Sequence, residues 1–285
     1  MKVRVPASSA NLGPGFDTLG LALSLYVTVE VHESDSLSLV AVGHGSDLVL
    51  NDDHLAVAVA RSVLGHSNLA ISIESQIPLA RGLGSSAAVA VAVAAACGAY
   101  DAFVVASDFD GHSENAGASY LGGLVAGARI DDGWELTSLT IDPRISAILI
   151  IPETELSTTE ARSVLPAFVS RNDAVFNLGR LAFLLAGLAD VDQLKAEFGQ
   201  DRIHEQAREK IFPAAAVIKE LLRDNGARLA TWSGAGTAML GLFDRGEADS
   251  RLVQIRNDLS KISVPAQAVA LEVDFGGLTI LDDSQ

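Results

Sequence analysis

Hydrophobic and polar positions alternate over 25–31, where Leu25, Val27, Val29 and Val31 share one face of an expected strand. The same texture predicts short strands at 2–5, 36–42 and 69–74, and two more within 121–141 around the turn Asp131-Asp132-Gly133. The unbroken apolar run 145–151 reads as a strand buried on both faces. Helical spacing appears at 53–64, with Asp53 as the expected cap, and again in an Ala/Val stretch that opens behind Gly82-Leu83-Gly84-Ser85-Ser86. After Pro152 the texture changes. Helices are expected at 157–165, 172–189 and 205–224, strands at 228–232 and 238–243, then a last helix (247–261) and strand (265–273). Strands and helices mix without strict alternation, which predicts an α+β fold rather than a doubly wound one. The change of texture places the expected domain boundary near 143–153.

The Ala/Val window 87–106 is long enough to raise the question of a membrane span. It carries Asp101 and lacks basic or aromatic flanks, so it reads as a helix buried in a protein core. Composition agrees: 49% of the 285 residues are hydrophobic, enough for a substantial core in a soluble protein. The net charge of −16 excludes a basic face for nucleic acid or anionic lipid, so an anionic substrate must be met locally, by backbone dipoles, a few Arg or a metal ion. The one cysteine, Cys97, has no internal disulfide partner, and the chain does not open with a basic stretch leading into an apolar one. Both point to a reducing, cytoplasmic setting.

Three glycine-rich or polar segments carry the candidate chemistry. Pro78-Leu79-Ala80-Arg81-Gly82-Leu83-Gly84-Ser85-Ser86-Ala87-Ala88 combines a permissive backbone, two hydroxyls and the start of a helix, the makings of a phosphate cradle with Arg81 as a cationic neighbour. Two other readings stand beside it. One is a plain Gly-Ser helix cap; the other is a dinucleotide fingerprint with Asp101 as ribose partner, although Ser75 to Arg81 separate the glycines from the preceding strand. The segment Pro6 to Gly20 (PASSANLGPGFDTLG) offers Asn11 and Asp17, either a ligand loop or a glycine-rich connection. The third, Asp108 to Gly123, gathers Asp108, Asp110, His112, Glu114 and Asn115, oxygen donors suited to Mg²⁺ or simply a solvated loop. Ser157 to Glu160 has capping-box spacing, Ser233-Gly234-Ala235-Gly236 reads as a tight turn, and Asp274-Phe275-Gly276 mimics a protein-kinase motif without the elements that should precede it.

Together these segments resemble the GHMP small-molecule kinase superfamily over nearly the whole chain. IPLARGLGSSAA is similar to its phosphate loop, DGHSENAGASYLGG to its EGHPDN segment, and SGAGTAML to its third motif. PASSANLGPGFDTLGLALSLY, STTEARSVLP and AREKIFP resemble the branch that phosphorylates homoserine. The resemblance implies a two-domain α+β GHMP kinase fold, with a ribosomal-protein-like βαβ domain over 1–147 and a ferredoxin-like domain over 148–285. It implies an enzyme that uses ATP with Mg²⁺ to phosphorylate the side-chain hydroxyl of L-homoserine for threonine biosynthesis, and a homodimer. It further implies that 78–88 wrap the triphosphate, that Ser86 and Asp110 hold Mg²⁺, and that Asn11, Asp17, His112, Asn115, Thr158, Arg162 and Arg208 bind the amino acid. In that scheme Asp17 takes the ammonium, Arg162 and Arg208 the carboxylate, and Asn115, Arg162 and Asp110 serve catalysis. The adenine is expected against 50–62. The chain departs from the family pattern in having Asp110 for its glutamate, Ser113-Glu114 for Pro-Asp, Thr237 for a proline, and fewer residues between Gly82 and Asp110. Two rival readings are a kinase for another alcohol, such as mevalonate, and a catalytically inactive ligand sensor.

Overall fold

The alternation at 25–31 is the middle of a 15-residue strand, β2 (Leu19–Glu33), around which the first sheet is built. The computed structural model describes residues 1–281. β1 (Lys2–Ala10) lies antiparallel along one edge of β2. Two further strands pair with β2 in succession: β5 (Leu124–Ile130) at Leu19–Leu21 and β4 (Leu69–Ser75) at Val27–Glu33. β3 (Ser38–Gly43) adds parallel to β4, and β6 (Gly133–Leu139) forms a hairpin with β5. β11 (Thr279–Leu281), which no periodicity announced, returns from the far end of the chain to pair β1. Val3, Val5, Leu21, Leu23, Val27 and Val29 are wholly buried, as the alternation requires.

The helix behind the glycines is α2 (Ser85–Ala96), packed against β1, β2, α1 (Leu55–Leu64), α3 (Ala102–Asp110) and α4 (Glu114–Leu121). Neighbours on so many sides explain why it is apolar all round, and Ala and Val are small enough to let them approach. The window 87–106 is therefore two helices, not one. The chain turns at Gly98, and the Asp101 carboxylate caps α3 by accepting from the Val104 N–H at 3.1 Å, which ends its candidacy as a ribose partner. Among the described residues no helix is long and apolar enough to cross a membrane. A second cap also differs: α1 starts one residue later than expected, and His54, through Nδ1, accepts the Ala56 N–H in place of Asp53.

The second sheet has the order β10 (Ala266–Glu272), β7 (Ile145–Pro152), β9 (Met239–Asp244), β8 (Leu229–Trp232), with every pair antiparallel. β7 is buried on both faces. Ile145, Ala147 and Leu149 join the core shared with the first sheet, while Ile148 and Ile150 join a second core under α8 (Ala214–Asp224) and α9 (Glu247–Leu259). The expected helix at 205–224 is interrupted. α7 (Glu205–Arg208) stops and Pro213, lacking an N–H, starts α8. α5 (Thr158–Ser163) and α6 (Arg171–Ala189) precede them. The division at 147/148 would cut β7, which lies wholly in the second sheet, so we propose a domain boundary ahead of Ile145.

Candidate functional site

A cleft of about 610 Å³ is lined from both halves of the chain. One end is the start of α2. Gly84 is its N-cap, in the left-handed region at φ +64, and no side chain caps the helix. The first N–H groups of α2 thus point toward the cleft without the side-chain acceptor that a plain cap would supply. Gly84 has no room for a side chain, since a Cβ there would collide with Ser8 Oγ and Asn115 Oδ1, and one at Gly82 would meet the Ser233 carbonyl. The loop is braced by Ser233 Oγ donating to the Gly82 carbonyl (2.8 Å), Ser8 N to Leu83 O (3.2 Å) and Ala238 N to Arg81 O (3.1 Å).

Arg81 is not the cationic neighbour the sequence suggested. Its guanidinium donates to the carbonyls of Leu79, Pro152 and Glu153 and pairs with Glu155 at 3.2 Å, so it is a strut between the loop and the second half of the chain. Of residues 78–88 only Arg81 and the buried Ala88 do not line the cleft.

The polar run 108–115 is not an irregular loop. It is the corner where α3 ends at Asp110, turns on Gly111 and re-enters α4 at Glu114. Asp108 points away and accepts from Trp134 Nε1. Asp110 and Ser86 both line the cleft despite the short connection, and burial pushes the Asp110 carboxyl up against the lowering influence of His112, Ser86 and Arg162. His112 Nδ1 stands 3.7 Å from Asp110 and 3.4 Å from Glu114. Glu114 is almost fully buried, its carboxyl pushed up by that burial, and its Oε2 has no partner. Asn115 accepts from Ser8 Oγ at 2.9 Å and donates to Glu114 at 3.4 Å. Among the described residues no three His, Cys, Asp or Glu side chains form a metal cage. A hydroxyl beside one carboxylate is instead the donor set of an Mg²⁺ ion whose other ligands are phosphate oxygens and water, and Ser86 with Asp110 fits it.

At the opposite end the charges come from side chains. Asn11, just past the end of β1, lines the cleft and also braces the fold: Oδ1 accepts from the Asp17 N–H (3.0 Å) and Nδ2 donates to the Gly234 carbonyl (2.9 Å). Asp17 is gripped by Arg162 of α5 through two bonds, 3.0 and 2.7 Å. Arg208 is almost fully buried; it donates to the Gly234 carbonyl (2.8 Å) and to His204 Nδ1 (3.0 Å), and its Nε has no partner. Burial and nearby Arg162 bring its pKa down to about 10. Phe16 lies within 5.8 Å of the Arg162 guanidinium and 5.5 Å of that of Arg208, and stacks on His204 at 4.9 Å. Thr158 and Thr159, at the start of α5, line the same space, and Ser157 Oγ accepts from the Glu160 N–H as its spacing implied.

Several of these residues escaped sequence reading. Ser8, Phe16, His204 and the Gly234 carbonyl matter mostly through contacts between distant positions, 107 apart for Ser8 with Asn115 and 26 for Gly234 with Arg208, and only the helical i,i+4 spacing of His204 and Arg208 was available as a signal. Leu48, Leu55 and Phe109 add apolar surface to the cleft lining beside His54; of these only His54 and Leu55 fall in the expected stretch 50–62. Asp274 holds a turn, accepting from Tyr26 and from the N–H groups of Gly276 and Gly277, as befits a decoy. A second hollow of about 660 Å³ beside β10 has Arg256 as its one charged lining residue, and that guanidinium is bonded to the Ala268 carbonyl.

Comparison with known proteins agrees with the geometry. Residues 53–106 match the GHMP kinases N terminal domain and 182–261 the GHMP kinases C terminal domain. Homoserine kinase of Corynebacterium diphtheriae is 40% identical, over 95% of this chain and 96% of that one. Homoserine kinase of Desulfitobacterium hafniense is 32% identical over 99% and 100%. Among solved structures, homoserine kinase from Cytophaga hutchinsonii superposes with a TM-score of 0.85 at 26% identity, covering 99% of this chain and 97% of that one. Mevalonate kinase of L. major, at 14% identity and a TM-score of 0.68, shares the fold alone.

Proposed function

The chain belongs to the homoserine kinase family, within the GHMP kinases, and on that premise we propose that its cleft transfers the γ-phosphoryl group of ATP to the side-chain hydroxyl of L-homoserine. The product is O-phospho-L-homoserine, an intermediate of threonine biosynthesis. One observation supports this reading above the others: a single cleft has an uncapped helix start at one end and a carboxylate with two guanidinium groups at the other. An anion and a zwitterion fit side by side.

The backbone of 78–88 and the N-terminus of α2 hold the triphosphate, with the adenine against Leu48, His54, Leu55 and Phe109. Ser86 and Asp110 would hold Mg²⁺, which would supply charge neutralisation for the phosphoryl groups. Asp17 receives the ammonium, Arg162 and Arg208 the carboxylate, and His112 and Thr158 close the sides of the amino-acid pocket. Asn115, fixed by Ser8, orients the hydroxyl toward the γ-phosphorus, while Arg162 adds positive charge near the transferring group. Phosphoryl transfer depends on alignment and charge stabilisation more than on a strong base, so Glu114 need not act as one. We extend the proposal to a cytoplasmic homodimer.

The test is Mg²⁺-dependent ADP release with homoserine and with mevalonate as acceptors. Homoserine is the expected substrate, and Asp110→Ala is expected to lower kcat at least about 10³-fold. Preference for mevalonate, ligand binding without ADP release, or an Asp110→Ala enzyme equal to wild type would each overturn the reading.

A further inference from the structure

The two side chains assigned to opposite charges of the amino acid are bonded to each other. Both carboxylate oxygens of Asp17 and both terminal nitrogens of Arg162 are used in a fork-to-fork pair at 3.0 and 2.7 Å, joining residues 145 positions apart across the cleft. Each is about one-third exposed, within reach of an incoming molecule. The other cation is tied down: Arg208 is bonded to the Gly234 carbonyl and to His204, both inside the fold. The Asp17 backbone is likewise anchored, by Asn11. Arg162, on the six-residue helix α5, is therefore the partner able to give way.

We infer that the Asp17–Arg162 pair is an exchangeable latch that makes the cleft selective for zwitterionic alcohols. This rests on the proposed function, since it takes the pocket between Asp17, Arg162 and Arg208 as the acceptor site. A molecule carrying an ammonium and a carboxylate on one carbon replaces one ion pair with two, giving its ammonium to Asp17 and its carboxylate to Arg162 beside Arg208. Neither member of the latch is left without a partner. An acceptor with one charge breaks the same latch without repairing it: 4-hydroxybutyrate satisfies Arg162 and strands Asp17, whereas 3-aminopropan-1-ol satisfies Asp17 and strands Arg162. A site built around a polar partner rejects analogues that leave that partner unpaired. Selectivity thus comes from the cost of opening the pair as well as from the contacts made afterwards.

The experiment compares L-homoserine with the two one-charge analogues in the wild type, Asp17→Asn and Arg162→Gln, reading KM for homoserine and the inhibition constant of each analogue against it. Wild type is expected to bind either analogue at least about 100-fold more weakly than homoserine. Asp17→Asn, nearly isosteric, is expected to raise the homoserine KM about 100-fold and to bind 4-hydroxybutyrate about tenfold more tightly than wild type, because Arg162 is released. Arg162→Gln is expected to favour 3-aminopropan-1-ol in the same sense. If neither variant changes the homoserine KM, the acceptor-site reading itself fails. Should the homoserine KM rise while neither variant gains affinity for its matching analogue, the site stands and the latch is overturned.

Discussion

The two ends of the cleft meet opposite electrostatic demands with different parts of the chain. At the α2 end the attraction we propose for an anion comes from consecutive residues, by N–H groups and the dipole of a helix whose own side chains are small. At the other end charges of both signs come from Asp17, Arg162 and Arg208, brought together from distant positions. The difference is instructive in a chain of net charge −16. Backbone dipoles attract a phosphate without adding a side-chain charge, but they only mark one region as positive. Telling the ammonium of a small amino acid from its carboxylate requires separate charges of both signs at fixed places. The first end should therefore be sensitive to shape, and the second to charge.

The strongest challenge to that contrast is Gly84→Ala. The new Cβ must displace Ser8 and Asn115 at a left-handed position, so ATP turnover is expected to fall at least about 10³-fold although no charge has changed. Steady-state kinetics and nucleotide titration check this, and near-normal ATP affinity would remove the backbone cradle.

A smaller effect probes the charged end. His204 donates from Nε2 to the Gly13 carbonyl and accepts Arg208 at Nδ1, so it is neutral, and burial drives its pKa below the ordinary 6.5. Asp201 and Glu205 pull the value up, Arg208 pushes it down, and desolvation dominates. The unfolded chain then takes up a proton near pH 6.5 that the folded one refuses, so the stability this group contributes is complete above that pH and falls as pH drops below it. Urea unfolding at pH 7.5 and 5.5 should reveal a loss approaching about 1.4 kcal/mol per pH unit in wild type relative to His204→Gln. Equal slopes would mean that His204 is not buried neutral.

The smallest expected change sharpens the contrast from the other side. Because the Arg81 guanidinium is occupied by carbonyls and Glu155, Arg81→Met should leave the KM for ATP within about threefold of wild type while lowering Tm by a few degrees. A large rise in that KM would return Arg81 to the nucleotide.

How far each end could be read in advance follows from the same contrast. The glycine-serine loop was visible as a contiguous motif, although its sequence left phosphate cradle, plain cap and dinucleotide site open; the absence of any side-chain cap at Gly84 and the capping role of Asp101 favour the cradle we propose. The strands whose hydrophobic positions alternate were visible too, because one buried face imposes period two whatever the neighbours are. Segments defined by their neighbours were not. The Ala/Val window reads as one apolar run although Gly98 and Asp101 mark its break, and β11 is three residues long, held in place by β1.

By itself, the order of residues determined most of the strands and helices, the glycine-rich loop ahead of α2 and the types of charge available, since these depend on local sterics and periodicity. Only the tertiary structure decided which charges meet: that Arg81 is a strut, that Asn11 braces a loop, that Asp17 holds Arg162, and that His204 fixes Arg208. Ion pairs and hydrogen bonds act over a few ångströms, and positions 145 apart come within that range only once two sheets have packed around a common core.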